Sequence, residues 1–273
     1  MVGTRIPARR LALGSTGCYD DRVRTWLAII VVAACSSSEK EPAAPVATPV
    51  VARDAAIDAP PVVDAPPPVD PAAVAPKVTI VDAPMAWSAE REKLTLDYRR
   101  QHSDEGASNL AIEPTVIVLH YTGGSSAKAT RGYFDNPTIE ASRKELARGG
   151  KVNVSAHFVV DRDGTIYQLQ PVTRFARHCI GLNHIAIGIE NAGDEAKYPL
   201  TEAQVAADAA LIRFLASERK ITHLLGHHEV MGMRDTSLYV ERDPKYKNDK
   251  GDPGKAFMAK VRARVADLEL AGP

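Results

Sequence analysis

The stretch "LLGHHEVMG", residues 224–232, sets two histidines side by side with an acid behind them. Imidazole nitrogens bind divalent metals of the zinc type, so the pair reads as part of a metal site whose other donors come from elsewhere in the chain. The HExxH helix of metalloproteases is excluded, because that spacing needs a histidine where Gly232 stands. Two further donors sit at the ends of elements. His120 closes the apolar run "TVIVLHYT" just ahead of Gly123-Gly124, and Asp252 stands in "KGDPGKAF", where the last helix is expected to open. Two imidazoles and one carboxylate suit zinc with a fourth position left over. Side chains alternate along a strand, so His227 and His228 face opposite ways and one of them binds. Spacing alone leaves open which.

The elements that must carry these donors follow from local pattern. "TVIVLHYT" is β-rich and bounded by glycines, which reads as a buried strand. "AHFVVDRDGTIYQL" reads as a hairpin around Asp163-Gly164, and "HIAIGIENAG" as a strand from about 185 to 190. "THLLGHHE" reads as a short strand running into a loop. Helices are expected in "WSAEREKLTLDYRRQH" with Ser88 as cap, and in "PTIEASRKELARGG", closed by Gly149. Another is expected in "TEAQVAADAALIRFLASERK", with Thr201 and Gln204 in capping-box positions. "DPGKAFMAKVRARVADLEL" completes the set, with Asp252 at its cap and Pro253 in its first turn. Alternating strands and helices give an α/β domain built on a single central mixed sheet flanked by helices, with no internal repeat.

"VIVLHYTGG", "VSAHFVVDRDGTIYQL", "IAIGIENAG", "LLGHHEV" and "KGDPGKAF" follow one another in an order that resembles zinc-dependent type 2 N-acetylmuramoyl-L-alanine amidases. That family shares its fold with peptidoglycan recognition proteins, and the resemblance runs over about 114–257. It implies hydrolysis of the amide between N-acetylmuramic acid and L-alanine in peptidoglycan or muropeptides. In the family the ligand histidine follows the glycine of "GHxE/D" directly, which selects His227 over His228, with His120 and Asp252 as the other ligands of one Zn2+. Glu190, in "IGIEN", matches the catalytic glutamate, and Lys250 matches a lysine facing the developing oxyanion. Amide cleavage needs a water to lose a proton and the leaving nitrogen to gain one, and a carboxylate beside the metal can do both. Some relatives use a tyrosine just before the "HF" pair; here that position is Ala156, which leaves the burden on Glu190. His157, His178 and Glu229 are candidates for supporting the ligands or touching substrate. Cys179 reads as a small buried residue. Two departures fall where substrate should bind: "ARHCIGLN" stands in place of the usual tryptophan-containing "WHAG", and the segment 231–248 is long. Alternatives are a non-catalytic peptidoglycan-binding module, or a zinc peptidase acting on another cell-wall bond. Binding-only relatives lose the third ligand, whereas Asp252 is present.

The rest of the chain bounds where such chemistry takes place. A formal net charge of +0 over 273 residues argues against a nucleic-acid partner. Three scattered cysteines form no disulfide framework. Arg22 and Arg24 precede "WLAIIVVAAC", too short for a membrane span of about 20 residues but suited to a signal peptide. "VAAC" resembles a bacterial lipobox, with Cys35 lipidated and the protein anchored in the outer membrane, facing the periplasm. Residues 1–22 are unusual before such a signal, and translation is expected to begin at Val23. Residues 1–35 are then extension and lipoprotein signal peptide, and residues 36–84, rich in Pro, Ala and Val, a tether without helical or strand period. Residues 85–273 are the zinc amidase domain, expected to act as a monomer.

Overall fold

The computed structural model describes residues 78–247 and 249–273. The export signal, Cys35, the Val23 start and nearly all of the tether lie outside them. Six strands form one sheet: β1 (Ile80–Asp82), β2 (Val116–Tyr121), β3 (Phe158–Val160), β4 (Ile166–Gln168), β5 (Ala186–Asn191) and β6 (His223–Gly226). Their spatial order is β1-β4-β3-β5-β2-β6. Only the β3–β4 pair is antiparallel, so the sheet is mixed, as expected. The helices are α1 (Ala89–His102), α2 (Ala127–Phe134), α3 (Lys144–Arg148), α4 (Glu202–Glu218) and α5 (Lys255–Arg264), and a 3-10 helix spans His227–Met233.

Alternation along the strands divides the interior into two layers. Ile117, Leu119, Ile187, Ile189 and Leu224 face α4 and α5, packing on Val205, Leu211, Ile212, Phe257 and Met258. Val116, Val118, Ala186 and Leu225 face the opposite way, onto Cys179, Leu182, Val230 and Met233. His120 and Glu190, two residues beyond Val118 and Gly188, continue this second face at the carboxyl edge of the sheet. Local signals set the helix starts. Ser88 accepts from the Arg91 N–H, and Thr201 and Gln204 form the reciprocal capping box. Gly164 turns the β3–β4 hairpin at φ +89°.

Four expectations need correction. The tether does not reach residue 84, because β1 pairs in parallel with β4. A three-residue edge strand inside Ala/Pro-rich sequence carries no periodicity of its own. The helix expected from 137–150 is only α3, and Ser126 caps a helix, α2, that the motif reading passed over. Asp252 is not a helix cap. α5 opens at Lys255 after Gly254, whose φ of +91° suits glycine, and this leaves the Asp252 carboxylate free for other partners. His227 and His228 lie in the 3-10 helix rather than in a strand, so the roughly 120° step between successive residues separates them.

Candidate metal centre and cleft

Parallel pairing brings the site together. β2 lies between β5 and β6, with His120 opposite Glu190 in one register and Leu119 opposite Gly226 in the other. His227 follows Gly226 at once, so three parallel strands deliver His120, Glu190 and His227 to one edge. Clefts outside the carboxyl ends of strands are where α/β folds place their sites. The turn ahead of α5 adds Asp252, whose carbonyl accepts from the backbone N–H of His228 at 2.9 Å.

His120 Nδ1 lies 2.9 Å from His227 Nδ1, and each lies 3.2 Å from Asp252 Oδ2. Three donor atoms converge on one point. Tetrahedral zinc at about 2.0–2.2 Å from its ligands would set those ligand atoms roughly 3.3 Å apart, so the residues fit such an ion. The hydrogen bonds also account for the nitrogen of His120 that faces away from these atoms. His178 Nε2 is 3.3 Å from the Ala186 carbonyl, and His178 Nδ1 is 3.0 Å from His120 Nε2, so the His120 proton sits on Nε2. Burial alone would raise the Asp252 pKa, but the two imidazoles hold its carboxyl far below the usual carboxylate range. His227 is pushed down to about 4 by burial and by the charge of His120. His120 itself is raised, since Asp252 and Glu190 outweigh its burial. The carboxylates favour a cation here, and the imidazole pair disfavours a second proton.

Glu190 stands beside His120 with Oε2 buried and without a hydrogen-bond partner. Burial, reinforced by Asp252 and opposed by His120 and Lys250, pushes its carboxyl up to about 7. His120, Glu190, His227, Lys250 and Asp252 line one cavity of about 270 Å³. The structure therefore brings together all five residues expected to bind metal or act in catalysis.

The supporting residues divide. His178 touches His120 and lines the cavity. His157 does neither, which corrects its expected contact with ligand or substrate. Its Nε2 donates to the Arg174 carbonyl and its Nδ1 accepts from the Gly188 N–H, and burial lowers its pKa to about 4. Glu229 is absent from the cavity lining; its carboxylate binds Arg262 at 2.6 Å and accepts from the N–H of Gly226, the residue before His227, at 2.8 Å. His228 Nδ1 reaches the Asp252 carbonyl at 3.1 Å, so the residue beside His227 braces the loop that carries Asp252. Cys179 is free and buried, and burial pushes its thiol up, away from nucleophilic use.

Sequence reasoning missed two features. Asn191 follows Glu190 and donates to the His120 carbonyl at 3.4 Å and to buried Asp208 of α4 at 2.9 Å. Arg177, in "ARHCIGLN", donates to the carbonyls of Gly150 and Val152 and, at 2.7 Å, to the Tyr246 hydroxyl, while its guanidinium lies 4.5 Å from the centre of the Tyr98 ring. Tyr246 belongs to the long 231–248 segment, so the two departures are one structure. The signal was present: an arginine among apolar neighbours needs acceptors.

A profile of a family described as N-acetylmuramoyl-L-alanine amidase matches residues 110–255. Mouse peptidoglycan recognition protein 3 is 27% identical over 121 residues, 42% of this chain and 33% of that protein, so the chain spans about a third of that relative's length. Among solved structures, the endolysin amidase LysCS from Clostridium intestinale URNW is 22% identical with a TM-score of 0.43, covering 71% of this chain and 97% of its own. A selenomethionine derivative of AmpD is 22% identical with a TM-score of 0.42, covering 68% and 93%.

Proposed function

The chain belongs to the N-acetylmuramoyl-L-alanine amidase family, and from that premise we propose that it is a zinc-dependent hydrolase of the amide between the lactyl group of N-acetylmuramic acid and L-alanine. The observation that carries this reading is the convergence of His120, His227 and Asp252 beside Glu190, whose buried oxygen has no partner. His120, His227 and Asp252 would hold the metal. Zinc, when bound there, supplies Lewis acidity toward the scissile carbonyl and the attacking water.

Glu190 takes a proton from the water whose oxygen attacks the carbonyl carbon, and returns it to the nitrogen as the C–N bond breaks. The products are a muramyl carboxylate and a free L-alanine amine. A carboxyl near neutrality suits both transfers, since it is neither too weak a base nor too weak an acid. Lys250 offers a fixed positive charge to the oxyanion that develops on the carbonyl oxygen. Ala156 has no hydroxyl to share in this.

Digesting purified peptidoglycan with the full chain and weighing the products by mass spectrometry tests the reading. Stem peptides with free N-terminal L-alanine are expected. A cut within the stem points to a peptidase, and binding without any cut points to the recognition module. The proposed setting is the bacterial cell envelope, with lipidated Cys35 in the outer membrane and the amidase domain in the periplasm.

A further inference from the structure

We infer that His178 is a positioning residue for the metal: it accepts the Nε2 proton of His120 and so keeps the His120 Nδ1 lone pair turned toward His227 and Asp252. The inference rests on the zinc reading above. A carbonyl can only accept, so the 3.3 Å contact to Ala186 O assigns the His178 proton to Nε2. His178 Nδ1 is then an acceptor, and His120 Nε2, 3.0 Å away, must donate to it. Ligand histidines commonly give their second N–H to a carboxylate or carbonyl. A neutral imidazole receives that proton without adding negative charge, leaving Asp252 as the anionic ligand.

The fold makes room for this arrangement. The Asn183 side chain accepts from the backbone N–H of both His178 and Cys179, at 2.9 and 2.7 Å. Gly188, on the face of β5 that carries Glu190, lies under the His178 ring. A Cβ there would stand 2.7 Å from the ring's Cγ. The glycine of "IGIE", the histidine of "ARHC" and the asparagine of "GLN" thus act as one unit. Their hydrogen-bonded link to the metal-site residues runs through His120.

The test measures zinc affinity of the full chain by competition with a chromophoric chelator, with apo-protein thermal unfolding as the control for folding. His178→Leu keeps apolar bulk but offers no acceptor, and is expected to weaken zinc binding on the order of 10- to 100-fold. His178→Asn places an oxygen near the old Nδ1 and is expected to stay within about threefold of the parent. Gly188→Ala pushes the ring away without removing it and is expected to weaken binding in the same direction as His178→Leu. Parental affinity in His178→Leu, or equal losses in the Leu and Asn variants, overturns the inference. Should His178→Leu not fold, Gly188→Ala decides, and parental affinity there overturns it. A parent that binds zinc but releases no peptide sinks the proposed reaction and leaves His178 to the affinity comparison. A parent without zinc affinity sinks both.

Discussion

Neighbouring histidines carry different work at this site. His227 aims Nδ1 at His120 and Asp252, whereas His228 holds the Asp252 carbonyl. His227→Ala is expected to abolish zinc binding and hydrolysis. His228→Ala removes one hydrogen bond of about 1 kcal/mol and is expected to weaken zinc several-fold at most. Metal content after dialysis separates them, and equal loss in both refutes the assignment. For Glu190, Glu190→Gln is expected to keep zinc and fold while losing about 10²–10⁴-fold in rate. As a base Glu190 acts deprotonated, so kcat/KM falls as pH drops through its pKa. Burial sets that at about 7, and a bound cation favours the carboxylate and moves the limb lower. An acid limb at or below neutrality in the parent, missing from the residual activity of Glu190→Gln, is the expected pattern.

Elements hold the site through two buried polar contacts. Asp208 on α4 reaches the end of β5 through Asn191, and burial pushes its carboxyl from 3.8 up to about 7. A raised carboxyl pKa means the folded state holds the proton more tightly. Its stabilising effect is then complete below about pH 4 and is lost as pH rises to about 7. Asp208→Asn removes this titration, so melting temperature should depend less on pH across that interval and exceed the parent's at pH 8. Parallel curves for the two proteins exclude Asp208 as the source. In the cavity lining, Tyr246→Phe leaves a buried Arg177 N–H without its phenol acceptor. The expected cost is about 2 kcal/mol of stability. Because Tyr246 lines the cavity without being among the groups assigned to the reaction, KM is expected to rise more than kcat falls. Steady-state kinetics showing the reverse split would place the phenol nearer the chemistry.

At the scale of the whole chain the proposal is an anchor at Cys35, which a Pro/Ala-rich stretch separates in sequence from the described domain. On that proposal a multiply acylated Cys35 would anchor the chain stably, and the intervening stretch would let the domain reach the wall. Cys35→Ser is expected to yield soluble or unprocessed protein that retains hydrolysis. Fractionation of cells followed by lipid analysis of the N-terminal peptide checks it, and a wild-type chain wholly soluble and free of fatty acid refutes the anchor. Among the described residues no helix is long and apolar enough to cross a membrane.

Donor types, strand-ending positions and helix caps were legible without any structure, because each depends on near neighbours. Ser88, Thr201 and Gln204 cap by short-range hydrogen bonds, and the apolar run before His120 declares a buried strand by composition alone. Which atoms converge is another matter. His120 meets His227 across 107 residues through the parallel register of β2 with β6, and meets Asp252 across 132 through the turn ahead of α5, whose carbonyl is held by the His228 N–H. The same holds for partners that sequence reading could not assign. β1 exists by pairing with β4, His157 is consumed by backbone groups, Glu229 by Arg262, and Arg177 finds Tyr246 69 residues away. Local pattern names the groups able to do chemistry, and tertiary packing decides which partners each of them faces, because hydrogen bonds and metal ligation act over distances that only the folded chain creates.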